Sequence, residues 1–237
     1  MGVSGGEYQH DWLKSMAPVE VSGADLAKDV AARTRLGERA KGLVGGLNSH
    51  QFVTELLKHG WRADAVKFIA AWLSPRDSLW FATLGVWQTY RLLGQSGAEE
   101  SLRRVAAFVR APSAANLAAI GPARQVLRDG GTMGLLAQAA LYSGDNISSV
   151  KGKTIKPAAH LTRKMAGAAL IVAAAKWPGK QKAACLDQFA SMGLDIAEGK
   201  HLWAPNPQQK YPGLRQPPLR EIFSQKAGNI WDSWKQS

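Results

Sequence analysis

The chain has 237 residues and 46% hydrophobic content, which is enough to fill the core of one domain of ordinary size and excludes wholesale disorder. Its net charge is +12, and almost all of the excess comes from residues 101–186, where thirteen Lys and Arg meet two Asp. Such a confined charge predicts one broad positive surface, which attracts anionic partners without naming one.

The first residues of the chain show little pattern. Residues 1–23 are punctuated by Gly and Pro, and residues 24–41 are polar and helix-capable, so we predict a loosely held N-terminal arm over residues 1–42. The start lacks the basic-then-apolar order of a signal peptide. The longest apolar run, residues 166–175, is about half of the roughly 20 residues that cross a bilayer. A soluble cytoplasmic protein is the expectation.

From residue 48 onward, apolar residues recur at helical spacing, and no alternating run typical of a strand is present in the sequence. Asn48 or Ser49 is suited to cap the first helix, and Gly60 is suited to end it. The predicted helices cover residues 48–59, 62–73, 76–93, 97–110, 117–128, 132–142, 161–176 and 180–198, with a polar loop over residues 143–159. The fold class is therefore all-α, with about eight helices in antiparallel hairpins.

Two features indicate where the core lies. Aromatic residues such as Trp80 and Trp87 fall on more than one side of the third helix, which favours a central core helix over an exposed platform for stacking bases or sugars. Cys185, the single cysteine, lies in an apolar helical pattern, where a small buried side chain is expected rather than a reactive thiol.

The composition changes after residue 199. Residues 200–220 hold five prolines, which is too many for a helix, and residues 221–234 can form one last short helix. We therefore divide the chain into the arm at 1–42, a helical domain at 43–199 and a Pro-rich basic C-terminal strap at 200–237. Trp231 and Trp234 favour docking of the strap on the body, although a partner is the alternative.

No catalytic motif is present in the sequence. Gly152-Lys153-Thr154 resembles the end of a phosphate-binding loop, but Ile147 stands where that loop needs glycine. The five histidines lack metal-ligand spacing, and there is no nucleophile elbow and no dinucleotide-binding turn. A non-enzymatic protein without metal or cofactor is the prediction.

The densest part of the positive region covers residues 151–182, and no acid lies between Asp145 and Asp187. The sequence favours neither interpretation of this stretch, which is either a binding surface or a basic surface that contacts only solvent. For binding, an acidic protein surface is the first candidate partner, followed by nucleic-acid phosphates and then an anionic membrane beside residues 161–176. The candidate binding residues are Lys151, Lys153, Lys156, Arg163, Lys164, Lys176, Lys180, Lys182, Arg103 and Arg104.

A series of short motifs resembles a family of bacterial all-helical proteins. In order, these motifs are NSHQF at residues 48–52, ADAVKF at 63–68, LSPRD at 73–77, VRAPS at 109–113, HLTRKMAG at 160–167 and GLDIA at 193–197. The resemblance covers roughly residues 43–203. Members are often met beside type VI secretion genes and have no assigned catalysis, so the resemblance implies an accessory or adaptor role. It carries over no catalytic residue.

Overall fold

The computed structural model describes residues 26–93, 99–148, 150, 152–158 and 160–199. These residues form helices and no sheet, so the predicted all-α class is confirmed. The helices are α1 (Ala27–Ala31), α2 (Glu38–Gly42), α3 (Ser49–Lys58), α4 (Arg62–Trp72), α5 (Pro75–Leu92), α6 (Glu99–Arg110), α7 (Ala114–Ile120), α8 (Ala123–Val126), α9 (Gly131–Tyr142), α10 (Leu161–Ala174) and α11 (Gly179–Ala197).

Local sequence signals fix the ends of α3. The Asn48 side chain accepts a hydrogen bond from the Gln51 amide at 2.9 Å, and the Gln51 side chain accepts one from the Asn48 amide at 3.0 Å. This reciprocal pair is a capping box, which satisfies two amides that the helix leaves without partners. Gly60 follows the helix with a φ of 74°, in the left-handed region that glycine enters without strain. Both predicted boundaries of this helix are confirmed.

Helix α5 begins in a similar way. The Ser74 hydroxyl accepts a hydrogen bond from the Asp77 amide at 3.1 Å and donates one to the Asp77 carboxylate at 2.7 Å, while Pro75 occupies the first helical position. Trp80 and Trp87 of α5 are buried. The core assignment of these aromatic residues is therefore correct.

Helix α10 lies at the centre of the packing, against α4, α5, α9 and α11. Two glycines let the central helices approach closely. A Cβ on Gly85 of α5 would collide with Leu170 of α10, and a Cβ on Gly193 of α11 would collide with Ile69 of α4. Large apolar side chains thus reach the backbone of the neighbouring helix, as expected in a close-packed core.

Two sequence predictions differ from the structure. The single helix expected over residues 117–128 is instead α7 and α8, because Gly121 has a φ of 147° and Pro122 cannot continue a helix. Residues 26–42 belong to the segment that was expected to be loosely held, but they pack into the core. Their side chains Val30 and Leu36 are buried against the body. The domain boundaries at 42 and 199 remain predictions, and residues 1–25 and the strap at 200–237 lie outside the described residues.

Candidate functional site

The loop between α9 and α10 carries the first group of candidate lysines. Lys153 and Lys156 are both exposed in this loop, and Lys164 is exposed in the first turns of α10. The loop contains no helix, as predicted, but its backbone is hydrogen-bonded. The Ile147 amide donates to the Ile155 carbonyl at 2.9 Å, so the two arms of the loop lie side by side.

A second group of lysines surrounds the turn between α10 and α11. Lys176, Lys180 and Lys182 are exposed there. The ammonium of Lys176 also lies 4.8 Å from the centre of the Tyr90 ring, a distance typical of a cation–π contact. Lys176 is therefore partly committed to the body of the protein, whereas Lys180 and Lys182 extend from the start of α11.

The two lysine groups lie at opposite ends of α10. An α-helix rises about 1.5 Å per residue, so Lys164 lies about 15 Å along the axis from Ala174, where α10 ends two residues before Lys176. Val172, between them in sequence, is also exposed. The two lysine groups together are called the strip. We refer to Lys153, Lys156 and Lys164 as the loop group, and to Lys176, Lys180 and Lys182 as the turn group.

The three arginines among the predicted binding residues bind within the protein. The guanidinium of Arg163 donates to the backbone carbonyl of Leu73 at 2.7 Å, which ties α10 to the end of α4. Arg103 and Arg104 lie on α6, where they pair with glutamates one turn earlier. Arg104 also donates to the Ala119 carbonyl at 3.2 Å. All three arginines thus have partners within the protein, although the side chains of Arg103 and Arg104 remain about half exposed. Lys151 lies outside the described residues.

The lysines behave differently from the arginines. In the described ranges, none of the six lysines of the two groups forms an ion pair. The sequence provides no acid between Asp145 and Asp187. A lysine without a nearby carboxylate keeps its field unneutralised by the protein, so the strip remains attractive to an anionic partner within about one Debye length, roughly 8 Å in physiological salt.

Sequence reasoning missed one feature of the loop. Val150 and Ile155 are 54% and 52% exposed, although the loop was predicted to be simply polar. They lie beside Lys153 and Lys156, so the loop group combines charge with apolar side chains. The available signal was the recurrence of three branched apolar residues, Ile147, Val150 and Ile155, inside an otherwise polar stretch.

The rest of the described chain shows no arrangement suited to metal chemistry or to a reactive thiol. No cluster of three His, Cys, Asp or Glu side chains that could hold a metal ion occurs in those residues. Burial raises the pKa of the Cys185 thiol to about 12, and its hydrogen bond with Thr89 opposes this only in part. Cys185 is thus buried as predicted, and a thiol with this pKa is a poor nucleophile at neutral pH.

Two of the histidines lie against tryptophans. The rings of His50 and Trp72 meet edge to face with their centres 4.7 Å apart, and His59 stacks on Trp61 at 4.8 Å. The imidazole rings of both histidines therefore pack against tryptophan rings. None of the described helices combines the length and the apolar character needed to cross a membrane.

A family model described as "Family of unknown function (DUF6931)" matches residues 52–197, which is more than half of the chain. The chain belongs to this family. The DUF6931 match begins inside α3 and ends with α11, so it includes the loop group, the turn group and the whole central packing of α10. No curated protein and no solved structure matches the chain.

Proposed function

We propose that this member of the DUF6931 family is a non-enzymatic binding protein that docks an acidic surface of another protein. The loop group and the turn group make the contact, and the helical core holds them at a fixed spacing. Electrostatic complementarity of this kind raises the rate of association and selects against basic partners.

One observation carries the proposal. All six lysines of the strip are exposed and form no ion pair within the described residues, whereas the predicted arginines are engaged with the body. A surface that serves solubility alone usually mixes both signs of charge. A strip of one sign, between Asp145 and Asp187, is instead typical of a surface that steers an oppositely charged partner.

The surroundings of the lysines favour a protein over a nucleic acid. Proteins that hold single strands stack bases on exposed aromatic rings beside basic residues. Here the nearest tryptophan in sequence, Trp177, is buried, and Trp80 and Trp87 are buried in the core. These tryptophans thus give bases no platform, and the partly buried Tyr90 ring beside the turn group is already in contact with the Lys176 ammonium.

The cellular setting belongs to the same proposal. The motifs resemble those of bacterial helical proteins often met beside type VI secretion genes, so we propose an adaptor or accessory role in such an assembly, in the cytoplasm. An adaptor needs a stable body and a selective surface rather than a catalytic centre. The all-α core and the lysine strip are compatible with that requirement.

A pull-down from the native cell tests the proposal, with nuclease added or omitted and across a salt series. We expect an acidic protein that survives nuclease and is released as salt rises, because screening weakens exposed charge pairs. Recovery of nucleic acid alone, lost steeply with salt, would replace the proposal with phosphate binding.

Charge reversal locates the contact. Replacing Lys153, Lys156 and Lys164 with glutamate should abolish capture while the helical circular dichroism remains that of the wild type.

A control variant with Lys28, Arg35 and Arg39 replaced by glutamate changes the net charge equally at exposed positions outside the strip. It should bind as the wild type does. Equal loss in both variants would mean that only net charge matters and would remove the strip from the proposal.

A further inference from the structure

The loop between α9 and α10 is held in shape by one side chain. The side-chain oxygen of Asn146, Oδ1, accepts hydrogen bonds from the backbone amides of Ser148 at 2.9 Å and Ile155 at 2.8 Å. Its amide nitrogen donates to the Lys153 carbonyl at 3.2 Å. Asn146 therefore connects both arms of the loop, and all three bonds contribute to one conformation.

Backbone hydrogen bonds complete this closed loop. The Ile147 amide donates to the Ile155 carbonyl at 2.9 Å, and the Lys153 amide donates to the Val150 carbonyl at 3.1 Å across the tip. Gly152 has a φ of 79°, which a tight tip requires and glycine adopts without strain. Among the described residues of the loop, Val150, Lys153, Ile155 and Lys156 are exposed, and these hydrogen bonds hold the backbone that carries them.

The side chains that it presents are unusual for an exposed loop. Val150 and Ile155 are each more than half exposed, and they rank among the most exposed large apolar residues of the described chain. Isolated apolar residues on a surface need no explanation. Here two branched residues are exposed on one hydrogen-bonded loop, and the exposed Lys153 and Lys156 lie within three residues of one or both of them in sequence.

We propose that this loop is a preformed recognition element, in which Val150 and Ile155 insert into an apolar pocket of the acidic protein partner and Lys153 and Lys156 pair with carboxylates around that pocket. The inference rests on the proposed function, since it names the part of the surface that makes the central contact. An apolar centre inside a charged border is the usual anatomy of a protein interface.

The order of the loop is part of the argument. A loop already held in its bound shape loses less conformational entropy on binding, which strengthens binding without new contacts. The Asn146 hydrogen bonds supply that order between Asn146 and Ile155, where the chain is not part of a helix. Asn146 is consequently a positioning residue, which acts through Val150 and Ile155.

A membrane is a poorer fit for the same loop. A single acyl chain binds a membrane only weakly, and stable attachment needs a second chain or a basic patch in addition to the first chain. One valine and one isoleucine, each already about half covered, offer much less. A protein pocket needs only to match their shape.

Defined peptides test the inference on the full-length chain. Selection from a displayed library of random peptides should enrich sequences that are both acidic and apolar. One enriched peptide is then synthesised with a matched peptide in which serine replaces its apolar residues. We expect the wild type to bind the first peptide more tightly, by about 30-fold, because burying the exposed halves of both side chains corresponds to about 2 kcal/mol.

The variant Val150→Ser/Ile155→Ser should lose this preference and keep its affinity for the purely acidic peptide. Leu127→Ser is the matched control, because Leu127 is 39% exposed but lies before the start of α9, whereas the loop leaves the far end of that helix. The control should keep the preference.

Asn146→Ala tests the positioning role separately. It should weaken binding of the acidic apolar peptide and also remove the protection of the Ile155 amide against hydrogen exchange. Unchanged affinity with that protection lost would show that order of the loop is irrelevant to binding, and would overturn this part of the inference.

The remaining outcomes separate the two proposals. If the serine variant keeps the preference while glutamate at Lys153, Lys156 and Lys164 abolishes binding of both peptides, the inference is wrong and the proposed function stands. If selection on the wild type enriches no acidic apolar peptide, the inference is wrong, and the pull-down decides the proposed function separately. Binding to phosphatidylserine vesicles that requires Val150 and Ile155, without any peptide binding, would replace the protein partner with a membrane.

Discussion

The substitution Gly193→Ala is expected to destabilise the fold through overpacking at the centre of the bundle. A Cβ at Gly193 of α11 would lie 2.5 Å from the Ile69 Cγ2 atom and 2.9 Å from the Phe81 Cζ atom. Ile69 and Phe81 are fully buried, so neither side chain has free space to occupy. Inserting a methyl group into such a site costs about 1–3 kcal/mol.

Helix propensity opposes part of this cost. Alanine is favoured over glycine by about 1 kcal/mol in a helix interior, so the net loss for Gly193→Ala is up to about 2 kcal/mol. For a chain of this size, each kcal/mol lowers the melting temperature by about 2–4 °C. Thermal melting followed by circular dichroism should therefore show a decrease of up to about 8 °C, and denaturant titration should give the free energy directly.

Gly167→Ala is the matched control for this effect. Gly167 is also a buried helical glycine, but its added Cβ would lie 3.4 Å from the Ala70 Cβ, which is ordinary van der Waals contact. This variant should be as stable as the wild type or more stable by up to about 1 kcal/mol. A Gly193→Ala variant that melts no lower than Gly167→Ala would refute the close approach of α11 to α4 and α5.

Four further predictions concern single side chains. Arg62→Met leaves the half-buried Asp187 without a guanidinium that lies 2.6 Å from its carboxylate, so we expect a loss of about 2 kcal/mol by denaturant titration. By contrast, Glu38→Gln disrupts an exposed pair and should change stability by less than about 0.5 kcal/mol. Asn48→Ala removes the cap of α3 and should cost about 1 kcal/mol; an unchanged midpoint would mean that water replaces the cap without loss. Folding raises the pKa of Cys185 from 9.0 to about 12. The stability contributed by the neutral thiol is therefore complete below pH 9 and is lost as the pH rises towards 12. The free energy of unfolding should fall more steeply across this range in the wild type than in Cys185→Ala, and equal slopes would contradict the burial.

Most of the helical fold could be predicted because its signals are local. The capping residues at Asn48 and Ser74 and the glycine at 60 lie next to the boundaries that they set. The interruption between α7 and α8 carries an equally local signal in Gly121-Pro122, which the single helix predicted over residues 117–128 leaves out of account. Proline inside a helix removes a hydrogen bond and clashes with the preceding turn.

The attachment of residues 26–42 could not be predicted in this way. Their helices are short and largely polar, which is typical of a loose arm. Their place in the core depends instead on a few apolar residues, such as Val30 and Leu36, whose partners are distant in sequence. A backbone bond from the Ala27 amide to the Leu47 carbonyl also fixes the segment beside the start of α3.

In the candidate site, too, the local features could be predicted from the sequence and the contacts between distant residues could not. Counting charges located the basic region but could not separate Arg163 from the neighbouring Lys164. The partner of Arg163 is the Leu73 carbonyl, ninety positions earlier in the chain. Arginine's planar fork suits such fixed contacts, whereas lysine more often keeps its ammonium in water. The strip is therefore better defined by its lysines, and a binding experiment that replaces only Arg163 should measure stability more than recognition.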